Sequence, residues 1–139
     1  MPLVNAFEFG ETKTGRTTRV LHTFYQLRDG SCLAFFEAPD MPFEFKAQHD
    51  FDLHIALEVD EAVLADMLAK GRARGIETRG ISEHEFVRSI YFRDPNGYVI
   101  ELTAKTPEHE RLMNPGTNRA RELLDQWQSS KRQTAASSA

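Results

Sequence analysis

Residues 89–103, SIYFRDPNGYVIELT, decide the fold of this chain of 139 residues. Two runs rich in aromatic and β-branched residues flank the turn DPNG at 94–97, so the stretch predicts a β-hairpin. Residues 24–36, FYQLRDGSCLAFF, repeat this pattern, and Gly30 then aligns with Gly97, 67 residues further on. The pair Asp29-Gly30 predicts a primed hairpin turn. The chain therefore carries a duplicated unit.

The second unit reads as β-α-β-β-β. Residues 52–59, DLHIALEV, alternate strictly between apolar and polar and predict a strand. Asp60 is a predicted N-cap for a helix that ends before Gly75 and carries one apolar stripe. Further strands are predicted at 76–80, 87–92 and 98–103. The stripe consists of Val63, Leu64, Met67 and Leu68.

The first unit reads only as β-β-β, with strands at 2–9, 19–27 and 31–37. Its opening strand and helix are expected upstream of Met1 or from a partner chain; the alternative is a unit that was always short. We therefore predict an α+β fold of paired β-α-β-β-β modules around a cleft. The predicted segments are 1–38 (partial first module), 39–51 (connector), 52–105 (second module), 106–130 (helical extension, helix near 117–129) and 131–139 (disordered tail).

Composition excludes several classes of function. The net charge of −4 argues against a general nucleic-acid or anionic-membrane binder. No apolar run approaches the ~20 residues of a bilayer span. Residues 1–16 lack a basic segment followed by an apolar one, so we expect no signal peptide. The single cysteine, Cys32, excludes a disulfide framework and indicates a reducing cytoplasm. We expect it to be a buried, inert thiol.

His54 and Glu101 are the residues most capable of chemistry. Both fall on the strand face that does not pack on the predicted helix, and a carboxylate among apolar neighbours is costly unless it is paired or metal-bound. A neutral imidazole and a carboxylate are ligands that Fe(II), Mn(II) and Zn(II) accept. The alternative is an exposed strand face with a solvated glutamate and a surface histidine.

The chain resembles the vicinal oxygen chelate superfamily, which includes glyoxalase I, type I extradiol dioxygenases and the fosfomycin and bleomycin resistance proteins. The resemblance covers residues 1–105 and is strongest in DLHIALEV and SIYFRDPNGYVIELT. It implies that His54 and Glu101 are metal ligands. The position matching Glu101 in the first module is Ala34, which implies a His-His-Glu set whose other histidine lies on the missing opening strand.

Residues 84–101 are similar to the extradiol dioxygenase signature, in which a histidine and a tyrosine line the active site and a glutamate binds Fe(II). The resemblance implies catalytic roles for His84 and Tyr91, with Fe(II) favoured and Mn, Zn or Ni as alternatives. Ser82 departs from the signature. No acid/base histidine matches either, since His49 lies too close to His54.

The remaining candidates line a predicted substrate pocket, namely His22, Phe24 and Phe36. Each site residue also has a structural alternative: a hydrogen-bonded histidine under the sheet rim for His22, a surface-loop residue for His84, and a half-buried strand aromatic for Tyr91. We predict a metal-dependent enzyme acting on a small molecule, with aromatic compounds among the candidates. A glyoxalase-type lyase or isomerase, a non-catalytic binding protein and an inert fragment stay open. A bare sheet edge predicts a homodimer.

Overall fold

Seven strands and three helices form the described part of the computed structural model, which covers residues 1–11, 13–15, 17–42, 49–51 and 53–137, with side chains up to Lys131. The chain divides into two units, Met1–Phe45 and Lys46–Ala139. None of the described helices is long and apolar enough to cross a membrane.

The first unit is an antiparallel sheet of three strands in the order β1-β2-β3. The strands are β1 (Leu3–Glu11), β2 (Thr17–Gln26) and β3 (Cys32–Glu37). Val20 is its one buried hydrophobic residue within the described ranges. Cys32 is exposed, so the expectation of a buried thiol is wrong. Its side chain lies where β3 begins, at the edge of a sheet too small to cover it.

The second unit is the predicted β-α-β-β-β module. Its elements are β4 (His54–Glu58), α1 (Glu61–Ala73), β5 (Thr78–His84), β6 (Val87–Arg93) and β7 (Val99–Lys105). The strand order is β4-β7-β6-β5, and β4 runs parallel to β7. Two helices follow, α2 (His109–Leu112) and α3 (Ala120–Ser137). The α+β class is confirmed.

Helix α1 covers one face of the four-stranded sheet. Leu64, Ile90 and Ala104 form the buried centre of this contact. Gly71 lets the helix approach closely, because a Cβ atom there would lie 2.6 Å from Cε1 of Phe92. The opposite face of this sheet does not contact α1, and it carries the polar side chains of the candidate site.

The two hairpins share one register, which supports the duplication. Tyr25 pairs with Leu33 in the first unit, and Phe92 pairs with Ile100 in the second. Each residue of the second pair follows its counterpart by 67 positions. The same offset relates all six residue pairs of the β2–β3 ladder to pairs of the β6–β7 ladder. β2 and β3 therefore correspond to β6 and β7.

The hairpin turns also match, but they are not primed. The amide of Gly30 donates to Leu27 O and the amide of Leu27 to Ser31 O; Gly97, Asp94 and Tyr98 repeat these bonds 67 residues later. Both glycines have φ of +87°, whereas no described residue other than glycine has positive φ. A primed type I turn needs positive φ at two successive residues. Instead, each hairpin has a loop of three residues that ends in a glycine with positive φ, and the backbone hydrogen bonds of the two strands begin directly beside this loop.

Two predicted boundaries are wrong. The strand expected at 76–80 runs from Thr78 to His84, so His84 ends a strand rather than lying in a loop. The C-terminal residues of β5 do not alternate between apolar and polar, because β5 is an edge strand. The segment expected to be disordered from 131 continues α3 to Ser137. No Gly or Pro interrupts 120–137, so nothing in the sequence stops the helix there.

Candidate metal centre

His54 and Glu101 meet on the sheet face that α1 leaves free. Nε2 of His54 lies 2.7 Å from Oε2 of Glu101. The contact arises because β4 and β7 are parallel neighbours, with Ala56 opposite Glu101 and His54 two residues before Ala56 on the same face. The side chain of Glu101 is only 13% exposed, against 31% for His54. An acid group this enclosed needs a partner, which the imidazole supplies.

Tyr91 and His84 extend this group of side chains. Tyr91 lies directly opposite Glu101 in the β6–β7 ladder. Its hydroxyl is 2.9 Å from Nε2 of His84, and the tautomer of the imidazole decides which atom donates. The rings of Tyr91 and His54 meet edge to face, with centroids 6.1 Å apart. The structure thus brings four of the predicted site residues onto one face.

The environment of Tyr91 keeps its phenol neutral. Burial raises the pKa of Tyr91, and the negative charge of Glu101 raises this pKa further. A hydrogen bond with Ser89 lowers the pKa but does not reverse the direction. A phenol held in its neutral form can donate a hydrogen bond to a bound oxygen atom.

An ion-pair group beside Tyr91 was missed by the sequence reasoning. Asp50 accepts hydrogen bonds from Nη2 of Arg79 at 2.7 Å and from Nη2 of Arg93 at 2.6 Å. The guanidinium of Arg79 lies 5.7 Å from the centroid of the Tyr91 ring. The hydrogen bond from Arg93, and then that from Arg79, hold the pKa of Asp50 below its ordinary value. Asp50 lies 29 residues from Arg79 and 43 residues from Arg93, and contacts at such separations leave no periodic pattern in the sequence.

The predicted pocket residues form an aromatic cluster in the first unit. The ring of His22 stacks on Phe36, with centroids 3.8 Å apart, and lies 4.2 Å from that of Phe24. Phe7 and Phe9 complete the cluster. Nε2 of His22 is buried and forms no hydrogen bond within the described residues.

The shared register shows how the corresponding faces of the two units differ. Phe24 corresponds to Tyr91, Ala34 to Glu101, and Phe36 to Thr103. At these three positions an apolar side chain replaces the polar one, whereas Ser89 corresponds to the polar His22. The first unit therefore carries an alanine at the position of the Glu101 carboxylate, with aromatic side chains beside it.

The donor atoms fit part of a metal site. Two ligands bound to one ion at about 2.1 Å and at right angles lie about 3 Å apart, close to the separation of the His54 and Glu101 atoms. The described ranges contain no group of three or more His, Cys, Asp or Glu side chains that could hold an ion. His54 and Glu101 therefore fit as two members of a set that requires further ligands.

Comparison with known proteins identifies the fold. No protein-family model and no curated protein matches the chain. A solved structure of a glyoxalase family protein from Bacillus cereus matches with a TM-score of 0.55 at 18% identity, covering 74% of this chain and 76% of that one.

Two fosfomycin resistance proteins called FosX also match, with lower TM-scores. The one from Listeria monocytogenes, in complex with Mn(II) and sulfate, has a TM-score of 0.47 at 22% identity and covers 75% of this chain and 74% of its own. The one from Mesorhizobium loti has a TM-score of 0.47 at 24% identity and covers 76% of each chain. From the β-α-β-β-β module and the match to the glyoxalase family protein from Bacillus cereus, we conclude that the chain has the fold of that protein.

Proposed function

We propose that this protein is a divalent-metal-dependent enzyme that acts on a small molecule presenting two adjacent oxygen atoms. The observation that carries the proposal is the 2.7 Å approach of the His54 imidazole to the Glu101 carboxylate on a half-buried sheet face. These two side chains would hold the ion. Fe(II) is the ion we favour because residues 84–101 are similar to the extradiol dioxygenase signature. Mn(II), Zn(II) and Ni(II) are alternatives because imidazole and carboxylate ligands suit them as well.

The ion, when bound, acts as a Lewis acid that orients the two oxygens and stabilises negative charge on them. Tyr91 remains protonated near neutral pH and donates its hydrogen bond to a substrate oxygen. His84 is placed to take up or return a proton through Nε2, since this atom lies 2.9 Å from the Tyr91 hydroxyl.

Two reaction classes are compatible with these roles. Extradiol cleavage of a catechol, with O₂ as co-substrate, is supported by the similarity of residues 84–101 to the dioxygenase signature. Glyoxalase-type isomerisation moves a proton between adjacent carbons and needs no oxidant, and the neutral Tyr91 and His84 pair suits it as well. Sequestration of an aromatic ligand is the third possibility, supported by the aromatic cluster around His22.

Metal content tests the proposal directly. Purified protein would be loaded with Fe(II) or Mn(II), desalted and analysed for bound ion, alongside His54→Ala and Glu101→Ala. We expect the unmodified protein to retain the ion and both variants to lose it. His109→Ala is the matched control, because His109 lies on α2 against Phe86. Retention of the ion by both site variants would contradict the proposal.

Activity assays then separate the reaction classes. A yellow ring-opened product from a panel of catechols identifies a dioxygenase. Turnover of the methylglyoxal–glutathione adduct identifies an isomerase. Stoichiometric protection of an aromatic ligand, without its consumption, identifies a binding protein.

A further inference from the structure

Arg79 on β5 lies in one cross-strand row with two groups of the candidate site. It is directly opposite Tyr91 in the β5–β6 ladder, and Tyr91 is directly opposite Glu101 in the β6–β7 ladder. Residues directly opposite each other share a face of the sheet, so a guanidinium, a phenol and a carboxylate line this face in that order. The guanidinium carbon lies 5.7 Å from the centroid of the Tyr91 ring. None of the roles proposed above uses this cation.

A β-bulge brings Arg79 to the same face as His84. The two residues are five positions apart, and an odd separation in a regular strand places side chains on opposite faces. The register of β5 against β6 shifts by one residue between Gly80 and Ser82, which turns both side chains to one side. Gly80 has φ of +112°, and a Cβ atom there would lie 2.7 Å from a main-chain oxygen of β6, so the bulge requires glycine. Arg79 and His84 therefore both reach Tyr91.

The guanidinium of Arg79 keeps most of its hydrogen-bonding capacity. A guanidinium is a planar fork of N–H donors that stays charged. Within the described residues, Arg79 donates to Asp50 alone, through Nη2 at 2.7 Å, and its side chain is 53% exposed. Its Nε and Nη1 atoms have no acceptor among these residues. Arg93, by contrast, uses Nε, Nη1 and Nη2 on Glu77, Gly97 and Asp50.

The contact with Asp50 indicates which chemistry suits Arg79. A carboxylate reaches the guanidinium on this face, and its other oxygen accepts from Nη2 of Arg93 at 2.6 Å. Because Asp50 shares its charge between two arginines, Arg79 retains positive charge for a second acceptor. A guanidinium favours carboxylates over neutral oxygens, since it forms charge-assisted and often paired hydrogen bonds with them.

We propose that Arg79 binds a carboxylate group of the substrate, while the two adjacent oxygens of the same molecule lie at His54 and Glu101. The inference rests on the proposed function, because it adds an anchoring point to that site. Neighbouring strands are about 4.8 Å apart, so the main chain at Arg79 is about 10 Å from that at Glu101, with Tyr91 between them. The substrate class is therefore a small acid whose carboxylate lies at the opposite end from its two oxygens.

A pair of ligands that differ in one charge tests the contact. The acid 3,4-dihydroxyphenylacetate and its uncharged amide, which has almost the same shape, would be titrated by calorimetry into Mn(II)-loaded protein without O₂. We expect the acid to bind at least about tenfold more tightly than the amide. In Arg79→Gln this preference should disappear, while the retained Mn(II) stays unchanged and shows that the site is intact. Equal binding of acid and amide to the unmodified protein, or no binding of either, would overturn the inference.

Arg88→Gln is the matched control. Arg88 lies on β6 and pairs with Glu61 on α1, so it faces the helix side of the same sheet. The variant loses one positive charge from the same unit but no group on the site face. It should keep the preference for the acid. Loss of the preference in Arg88→Gln to the same extent as in Arg79→Gln would overturn the inference, because general charge would then explain the effect.

Titrations of the metal-free protein separate this inference from the proposed function. Ligand-observed NMR, which detects weak binding, would compare the acid and the amide without Mn(II). A preference for the acid that only Arg79→Gln removes supports the carboxylate contact, even if the protein retains no divalent ion and the metal proposal fails. Retention of Mn(II) without any preference for the acid has the opposite meaning: the metal proposal stands and the role of Arg79 is overturned.

Discussion

Tyr91 on β6 lies directly opposite Glu101 on β7, and the carboxylate charge contributes to the raised pKa of the phenol. Burial is the larger cause, but through this pairing the group proposed to hold a metal also favours the protonated form of the group proposed to contact the substrate. The relationship can be tested without knowing the substrate.

We expect the phenol of Tyr91 to titrate above its ordinary pKa of 10.0. The difference in ultraviolet absorbance between the unmodified protein and Tyr91→Phe, followed against pH, measures this. Glu101→Gln removes a negative charge and should move the difference curve to lower pH. An unchanged curve would contradict the electrostatic coupling.

The raised pKa of Tyr91 also predicts a pH dependence of stability. The folded state holds the proton more tightly than the unfolded state, so the stabilising contribution is complete below pH 10. It is lost as the pH rises through the raised pKa. The difference in Tm between the unmodified protein and Tyr91→Phe should therefore be constant below pH 10 and change only in the alkaline range.

Glu101 should tolerate little change as a ligand. Glu101→Gln keeps the size and a hydrogen-bonding oxygen but removes the charge, so we expect at least a tenfold loss of Mn(II) affinity, or about 1.4 kcal/mol. Glu101→Asp keeps the charge on a shorter side chain and should lose less. Calorimetric titration with Mn(II) gives the order, and an affinity for Glu101→Gln equal to the original would exclude this side chain as a ligand.

Asp50 should stabilise the protein only above acidic pH. Its pKa is held low by Arg93 and Arg79, so its contribution is present above the ordinary value of 3.8 and is lost as the pH falls through the depressed pKa. Asp50→Asn should lower the Tm at pH 7 by a small amount, because exposed ion pairs contribute little. The two Tm values should converge in acid. Asp66→Asn, which alters a surface carboxylate on α1, is the control.

Gly71 should not tolerate a side chain. A Cβ atom there would clash with Thr78 and Phe92, and overpacking of this kind costs about 1–3 kcal/mol. Alanine is the better helix former by about 1 kcal/mol, which offsets part of the loss. Chemical denaturation of Gly71→Ala should show net destabilisation. Gly10→Ala, where nothing lies within 4 Å, should have a much smaller effect.

Sequence periodicity is enough to predict the second module and the placement of His54 and Glu101 on the same face of its sheet. Strict alternation in residues 52–59 put His54 on one face, and the same parity in 99–103 put Glu101 beside it. The glycine alignment likewise predicted the common register of the hairpins, because a turn glycine and period-two alternation leave little choice of pairing.

Other features leave no such pattern. His84 belongs to an edge strand whose polar residues do not alternate, so a loop was the natural prediction. The charged hydrogen bonds of Asp50 join residues that lie far apart in the chain and belong to no periodic pattern. The sequence does not predict the C-terminal end of α3, because its Ser- and Ala-rich polar composition is typical of a disordered tail, although no residue in it breaks a helix.

The equal spacing of the hairpins means that the two halves offer interchangeable frameworks for side chains. Ala34 occupies the backbone position in the first sheet that Glu101 occupies in the second. An acidic residue transplanted to position 34 would therefore arrive in the same local geometry without any rebuilding of the main chain. A single substitution can thus place a carboxylate in the first sheet at the register position that Glu101 occupies in the second.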